Sequence, residues 1–206
     1  RRVLAMPCDI SDPEAIERLV AGTVAELGRL DVVVNVATAG FERLRIVDMD
    51  FSGYARSVQL NVIGTMKVCA EAAKQMAGQG GGSIINIGSL ASTALSPKNG
   101  EYASTKLAMV GLSKTLAREM GRDGVRVNVV TPGFTTGEPL DRLFEQMGAS
   151  SGISGAEMSK RVAATAELKR HVDPEDIAEA CLYLGSDRGR NVTGIELHVT
   201  AGAMIV

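Results

Sequence analysis

Apolar residues fall along this chain in two rhythms. Short β-branched runs, such as Val32-Val33-Val34, Ile84-Ile85-Asn86-Ile87 and Val125 to Val130, alternate with longer stretches of helical periodicity. An apolar run without polar alternation is what a strand covered on both faces requires. Strands that alternate with helices predict a parallel sheet with helices on both faces. Strands are expected at Val3–Met6, Asp31–Asn35, Ile84–Ile87, Val125–Val130 and Ile195–Val199. A Ser11/Glu14 capping box predicts a helix from Asp12 to Leu27. Further helices are expected over Phe51–Gln79, over Tyr102–Met120 with Gly121 as its stop, and from Asp173-Pro174 onward.

Composition narrows the picture. With 206 residues and 45% apolar content, the chain reads as one domain spanning 1–206. A net charge of −2 with both signs interspersed argues against a nucleic-acid surface. No apolar run approaches the roughly 20 residues of a membrane span. Cys8, Cys69 and Cys181 lack metal-like spacing and fit reduced thiols. With only His171 and His198 present, neither a histidine-based triad nor a zinc site is expected. The expectation is a cytoplasmic protein with no metal, membrane or nucleic-acid partner.

Candidate chemistry centres on Tyr102 and Lys106. Their spacing places both on one helical face, and a chance pairing of this kind has odds on the order of one in ten. An ammonium beside a phenol favours the phenolate, so the Tyr102 pKa is expected to fall. A phenol tuned that way exchanges a proton with an alcohol or ketone oxygen. Ser89, thirteen residues before Tyr102 and just past a strand, can donate to the same oxygen. Ser92 misses that spacing. Asn61 lies within a helical stretch, and Pro132-Gly133 follows a strand, where a glycine lets backbone approach a ligand closely.

With these residues in place, the chain resembles the short-chain dehydrogenase/reductase family along its whole length. The resemblance implies a three-layer, doubly wound, Rossmann-like α/β sheet. It places the catalytic set on Asn61, Ser89, Tyr102 and Lys106, with Asn61 kinking its helix and Lys106 also holding the nicotinamide ribose of NAD or NADP. Cofactor contacts are expected from Asp9 and Ile10 on the adenine side. Asn35 and Ala37, in Asn35-Val36-Ala37-Thr38, join Pro132, Gly133, Thr135 and Thr136 as further contacts. Val199-Thr200-Ala201-Gly202 stands where the family has a Val-Asp-Gly-Gly signature. The implied activity interconverts a secondary alcohol and a ketone, or a 3-oxoacyl-type carbonyl, on a mainly apolar small molecule. The implied assembly is a homotetramer or homodimer built partly from the helices around 51–79 and 102–120.

Residues 134–171 form a candidate lid. Leu140, Leu143, Phe144 and Met147 make one apolar helical face, and Ser154 with Glu157 caps a second helix. With Leu95, that face is expected to line a substrate pocket, so that Phe144→Ala would alter KM more than stability. Two other readings stand beside this one: an extended-type epimerase or dehydratase, and a catalytically silent dinucleotide sensor. The family's glycine-rich turn and the strand after it have no counterpart here, and its first two strands are lacking. A longer polypeptide with roughly 40 to 55 further N-terminal residues is therefore expected. Without them, Val32-Val33-Val34 would form an exposed apolar edge.

Overall fold

Four of the five expected strands form and one does not. The computed structural model describes residues 2–205. β1 (Val32–Asn35), β2 (Gly82–Ile87), β3 (Val125–Pro132) and β4 (Glu196–Val199) make one sheet in the order β1-β2-β3-β4. All pairings are parallel, with Val33 opposite Ile84, Ile84 opposite Val127, and Val130 opposite Leu197. Parallel strands leave all four carboxyl ends on one edge, where open α/β sheets collect ligands.

Val3–Met6 is the strand that fails. Its residues have no ladder partners among the described residues, and Val3 is 92% exposed. An apolar run becomes a strand only when a neighbour satisfies its backbone groups. Among the described residues none pairs with it. Met6 instead lies against α1, so close that a Cβ on Gly22 would come within 2.5 Å of its side chain.

The helices follow their caps. α1 (Pro13–Leu27) starts at Asp12, whose carboxylate accepts from the Glu14 N–H at 2.9 Å. Asp12 therefore takes the role expected of Ser11, because Pro13 fits the first helical position without needing a donor. α2 (Phe51–Val58) runs through a widened π turn, Gln59–Gly64, into α3 (Thr65–Gly78). α4 (Gly100–Met120) is followed by a short 3-10 turn. Gly124 at φ 75°, not Gly121 at φ −59°, takes the left-handed turn after it. α5 (Glu138–Ser150) and α6 (Gly155–Ala163) pack on each other, and α6 is capped by Ser154 as expected. α7 (Pro174–Gly185) opens on a reciprocal Asp173/Asp176 capping box.

Three layers result. On one face, Cys69, Ala72, Ala73 and Met76 of α3 and Ala117 of α4 bury Ile84, Val125 and Val127. On the other, α7 packs Leu184 against Ile85 and Val130. The sheet is the doubly wound α/β arrangement expected from the alternation. No described helix is long and apolar enough to cross a membrane.

Candidate active site

The carboxyl edge of the sheet gathers most of the predicted site. Ser89 lies two residues past the end of β2 and is the cap of a short 3-10 turn, its Oγ accepting from the Ala91 N–H at 3.2 Å. Tyr102 and Lys106 stand one turn apart near the start of α4. Lys106 is only 6% exposed, and its ammonium donates to the Ile87 carbonyl at the end of β2, 2.9 Å away. The same ammonium sits 5.7 Å from the centre of the Tyr102 ring. Strand end, turn and helix thus bring together three residues that are up to seventeen positions apart in sequence.

Electrostatics correct the expectation for the phenol. The Tyr102 pKa is raised, chiefly by burial, with the nearby Ser89 hydroxyl opposing the rise. Burial also pushes the Lys106 ammonium down to about 8. The reason is shared: removal from water disfavours both phenolate and ammonium. In the protein alone, desolvation outweighs any attraction between the pair.

Asn61 sits inside the π turn, and such turns recur at functional sites. Its side chain is buried and hydrogen-bonded at both its oxygen and its nitrogen. Oδ1 accepts from the Ala39 N–H at 2.7 Å and the Thr38 hydroxyl at 3.2 Å, while Nδ2 donates to Thr105 Oγ1 at 3.2 Å. Gly64, at the end of the same turn, lets the backbone of Ile10 pass close by; a Cβ there would lie 2.3 Å from the Ile10 carbonyl oxygen. The π turn therefore organises two loops at once.

Other predicted contacts are turned toward the protein. Asn35 Nδ2 donates to Asn86 Oδ1 at 2.7 Å and to Cys69 Sγ at 3.3 Å, beside a thiol that burial raises to about 11. Ala37 follows β1 on the exposed loop. The Asp9 carboxylate is exposed and accepts from both the N–H and the hydroxyl of Ser11, which hold its pKa down. Gly133 was expected to admit a ligand. The missing side chain is already required by the chain itself, since a Cβ there would lie 2.8 Å from Thr200 Cα. Pro132 is the last residue of β3, and Thr135 bridges to Val172. Thr136 donates through its hydroxyl to Asp173 at 2.9 Å.

The candidate lid is divided. Leu140 and Phe144 are buried, Leu143 and Met147 half-buried, and Leu95 is 72% exposed. Phe144 is 2% exposed and lies 5.9 Å from the Phe134 ring and 5.1 Å from His171, whose Nε2 is 2.9 Å from Ser159 Oγ. An aromatic enclosed on several sides contributes to stability, so the purely kinetic role expected of Phe144 is corrected. One residue was missed. Phe41 stacks on Tyr102 with ring centroids 4.6 Å apart and an 11° interplanar angle. A signal existed: it is one of four phenylalanines and lies six residues past Asn35 at the ligand edge.

Comparison with known proteins places this geometry. The chain matches over residues 1–204 the family described as enoyl-(acyl carrier protein) reductase. It is also 31% identical over 206 residues to a short chain dehydrogenase/reductase of Aspergillus oryzae, covering 100% of this chain and 76% of that one. The chain belongs to the short-chain dehydrogenase/reductase family. It shares 30% identity with D-threitol dehydrogenase of Mycolicibacterium smegmatis, over 96% of this chain and 72% of the relative. The solved structure of an NAD+-bound xylitol dehydrogenase superposes with a TM-score of 0.88 at 25% identity, covering 95% of this chain and 77% of that one. This short-chain dehydrogenase/reductase is thus an oxidoreductase by family.

Proposed function

We propose that this protein interconverts a secondary alcohol and a ketone with NAD or NADP, Tyr102 serving as acid and base. The observation that carries the reading is the convergence of Ser89, Tyr102 and Lys106 at the carboxyl edge of the sheet. In the reductive direction, Tyr102 gives its proton to the substrate oxygen while Ser89 donates a hydrogen bond to the same atom. A raised Tyr102 pKa suits that task, because the proton is present at neutral pH. Lys106 holds the turn of α4 against β2 and supplies positive charge near the phenol as the proton leaves.

The residues fit one end of the cofactor. Lys106 spends one of an ammonium's three donors on Ile87, leaving the others for ribose hydroxyls. Among the described residues no glycine-rich turn joins a strand to a helix to hold a diphosphate. When bound, the nicotinamide supplies or accepts a hydride. Lys106, the β3 end at Pro132-Gly133, and Thr135 and Thr136 are the residues proposed to lie along it.

Phe41 and the exposed Leu95 support a substrate whose carbonyl is flanked by apolar groups. A second reading has its own observation. A cavity of about 410 Å³, bounded by Phe41, also presents Glu42, Asp50, Arg56 and Glu101, and two relatives are named for the polyols threitol and xylitol. A substrate with hydroxyls at its remote end would suit that lining. Helices α5 and α6 are proposed as the lid. Exposed Phe51, Ile63, Leu107 and Leu112 support a homodimer or homotetramer through α2 to α4, which light scattering would check. The proposed location is the cytoplasm, where cell fractionation is the check.

The decisive experiment is Tyr102→Phe in a panel of ketones, polyols and other alcohols. Turnover should drop by at least about 10²-fold while cofactor binding survives. Near-normal turnover would remove Tyr102 from the chemistry, whereas a parent chain that binds cofactor but turns over none of these substrates would favour the silent-sensor reading.

A further inference from the structure

The loop between β1 and α2 lays an aromatic ring on the acid–base tyrosine, and nothing in the chemistry above requires it. Phe41 and Tyr102 are almost parallel, 11° apart, at a 4.6 Å centroid separation. The loop is not loosely placed. Asn61 ties it down through Thr38 and Ala39 and reaches across to Thr105. Thr105 lies on α4, and its hydroxyl donates to the Tyr102 carbonyl at 2.8 Å. One buried amide therefore couples the loop carrying Phe41 to the helical turn carrying Tyr102. Phe41 also lines the cavity of about 410 Å³, with Gly40, Leu44 and Met49. The ring thus belongs both to that cavity and to the stack on the phenol.

We propose that Phe41 is a positioning and specificity residue: its ring shields one face of the Tyr102 phenol from water and limits the room beside the reacting oxygen. This rests on the acid–base reading of Tyr102. A stacked aromatic removes water from the phenol, which makes the phenolate costlier and keeps the proton on. The polar groups that face the phenol are Ser89, from the segment after β2, and Lys106, from its own helix. The loop contributes the uncharged ring, and no carboxylate contributes to the Tyr102 shift. Removing the ring therefore has one direction. Water enters, the phenolate becomes cheaper, and Tyr102 loses its proton at lower pH. Widened room beside the oxygen should also favour bulkier substrates.

The test compares the full chain with Phe41→Ala, Phe41→Leu and Phe41→Tyr. Without cofactor, phenolate formation is followed by ultraviolet difference titration, and Tyr102 is assigned by subtracting the Tyr102→Phe trace. The Phe41→Ala midpoint should fall by about one pH unit, while Phe41→Tyr, which keeps a ring, should stay near the parent. In turnover, kcat/KM for a bulky ketone relative to a compact one should rise about tenfold in Phe41→Ala, and Phe41→Tyr should reverse most of that rise. Phe41→Leu keeps the volume without the stack, and carries the same comparison if the alanine variant unfolds. An unchanged midpoint and unchanged selectivity in a folded variant would overturn the proposal. That failure is separable from failure of the acid–base reading. If Tyr102→Phe loses turnover and Phe41→Ala changes nothing, only the role of Phe41 falls; if Tyr102→Phe remains active, the acid–base reading falls as well.

Discussion

β1 and β2 are built from the same kind of residue and end in different environments. Val32-Val33-Val34 and Ile84-Ile85 are both uninterrupted β-branched runs, yet Val34 is 41% exposed while Ile84 is fully buried. β2 has a strand on each side, α3 beneath it and α7 above. Among the described residues β1 has one neighbouring strand, and α7 lies mainly over β2, β3 and β4, meeting β1 only where Gly185 lies against Val32. Of its three valines only Val33 packs on the α3 side of the core. Composition decides whether a run is able to be buried; the number of layers and neighbours decides whether it is. Among the described residues β1 is the edge of the sheet, and an apolar edge left unpaired is a template for association.

The sharpest way to break this comparison is to truncate matched positions. Ile84→Ala should lower unfolding free energy by about 2–5 kcal/mol, the range for a buried aliphatic whose cavity cannot collapse. Val34→Ala should cost less than about 1 kcal/mol, because water already reaches the side chain. Urea unfolding with an unchanged slope is the measurement, and equal losses at both sites would show that the two strands share one environment.

A second test extends the contrast to charge. Lys106 is on the covered side of the fold, and its pKa is lowered from 10.5 to about 8 by burial. A group whose folded pKa is depressed stabilises the fold above its unfolded pKa, and that contribution is lost as pH falls through the folded value. At pH 7 the wild-type protein therefore carries the cost of a buried charge. Lys106→Met should raise stability by about 1–3 kcal/mol near neutrality, less whatever the Ile87 hydrogen bond contributes, and the gain should shrink as pH approaches 10. Turnover should fall in the same variant, a trade between stability and activity. A destabilised Lys106→Met at pH 7 would show that the hydrogen bond outweighs desolvation.

The smallest expected effect is at the edge itself. Val34→Thr keeps the shape and should change stability by no more than about 0.5 kcal/mol, while reducing concentration-dependent light scattering. Unchanged scattering would mean that β1 is not the surface through which chains associate.

The amino-acid order alone carried a large part of this description. The alternation of β-branched runs with capped helices specified the parallel α/β layers, because burial on two faces and the start of a helix are both local demands. Ser154, Asp173 and Pro174 were legible as helix starts for the same reason. The Ser89, Tyr102 and Lys106 spacing pointed to proton transfer at an alcohol or ketone oxygen. Other features depended on contacts between distant segments. Val3–Met6 has the local composition of a strand, but among the described residues nothing pairs with it. Gly133 is required by Thr200, and Asn35 is turned inward by Asn86; neither partner lies nearby in the chain. The direction of the Tyr102 pKa was misjudged because spacing reveals the neighbouring charge but not how much water is lost. Phe41 reaches Tyr102 across sixty-one residues. Hydrophobic rhythm and capping act along the chain and can be read there; desolvation, strand pairing and side-chain stacking exist only once separate segments meet.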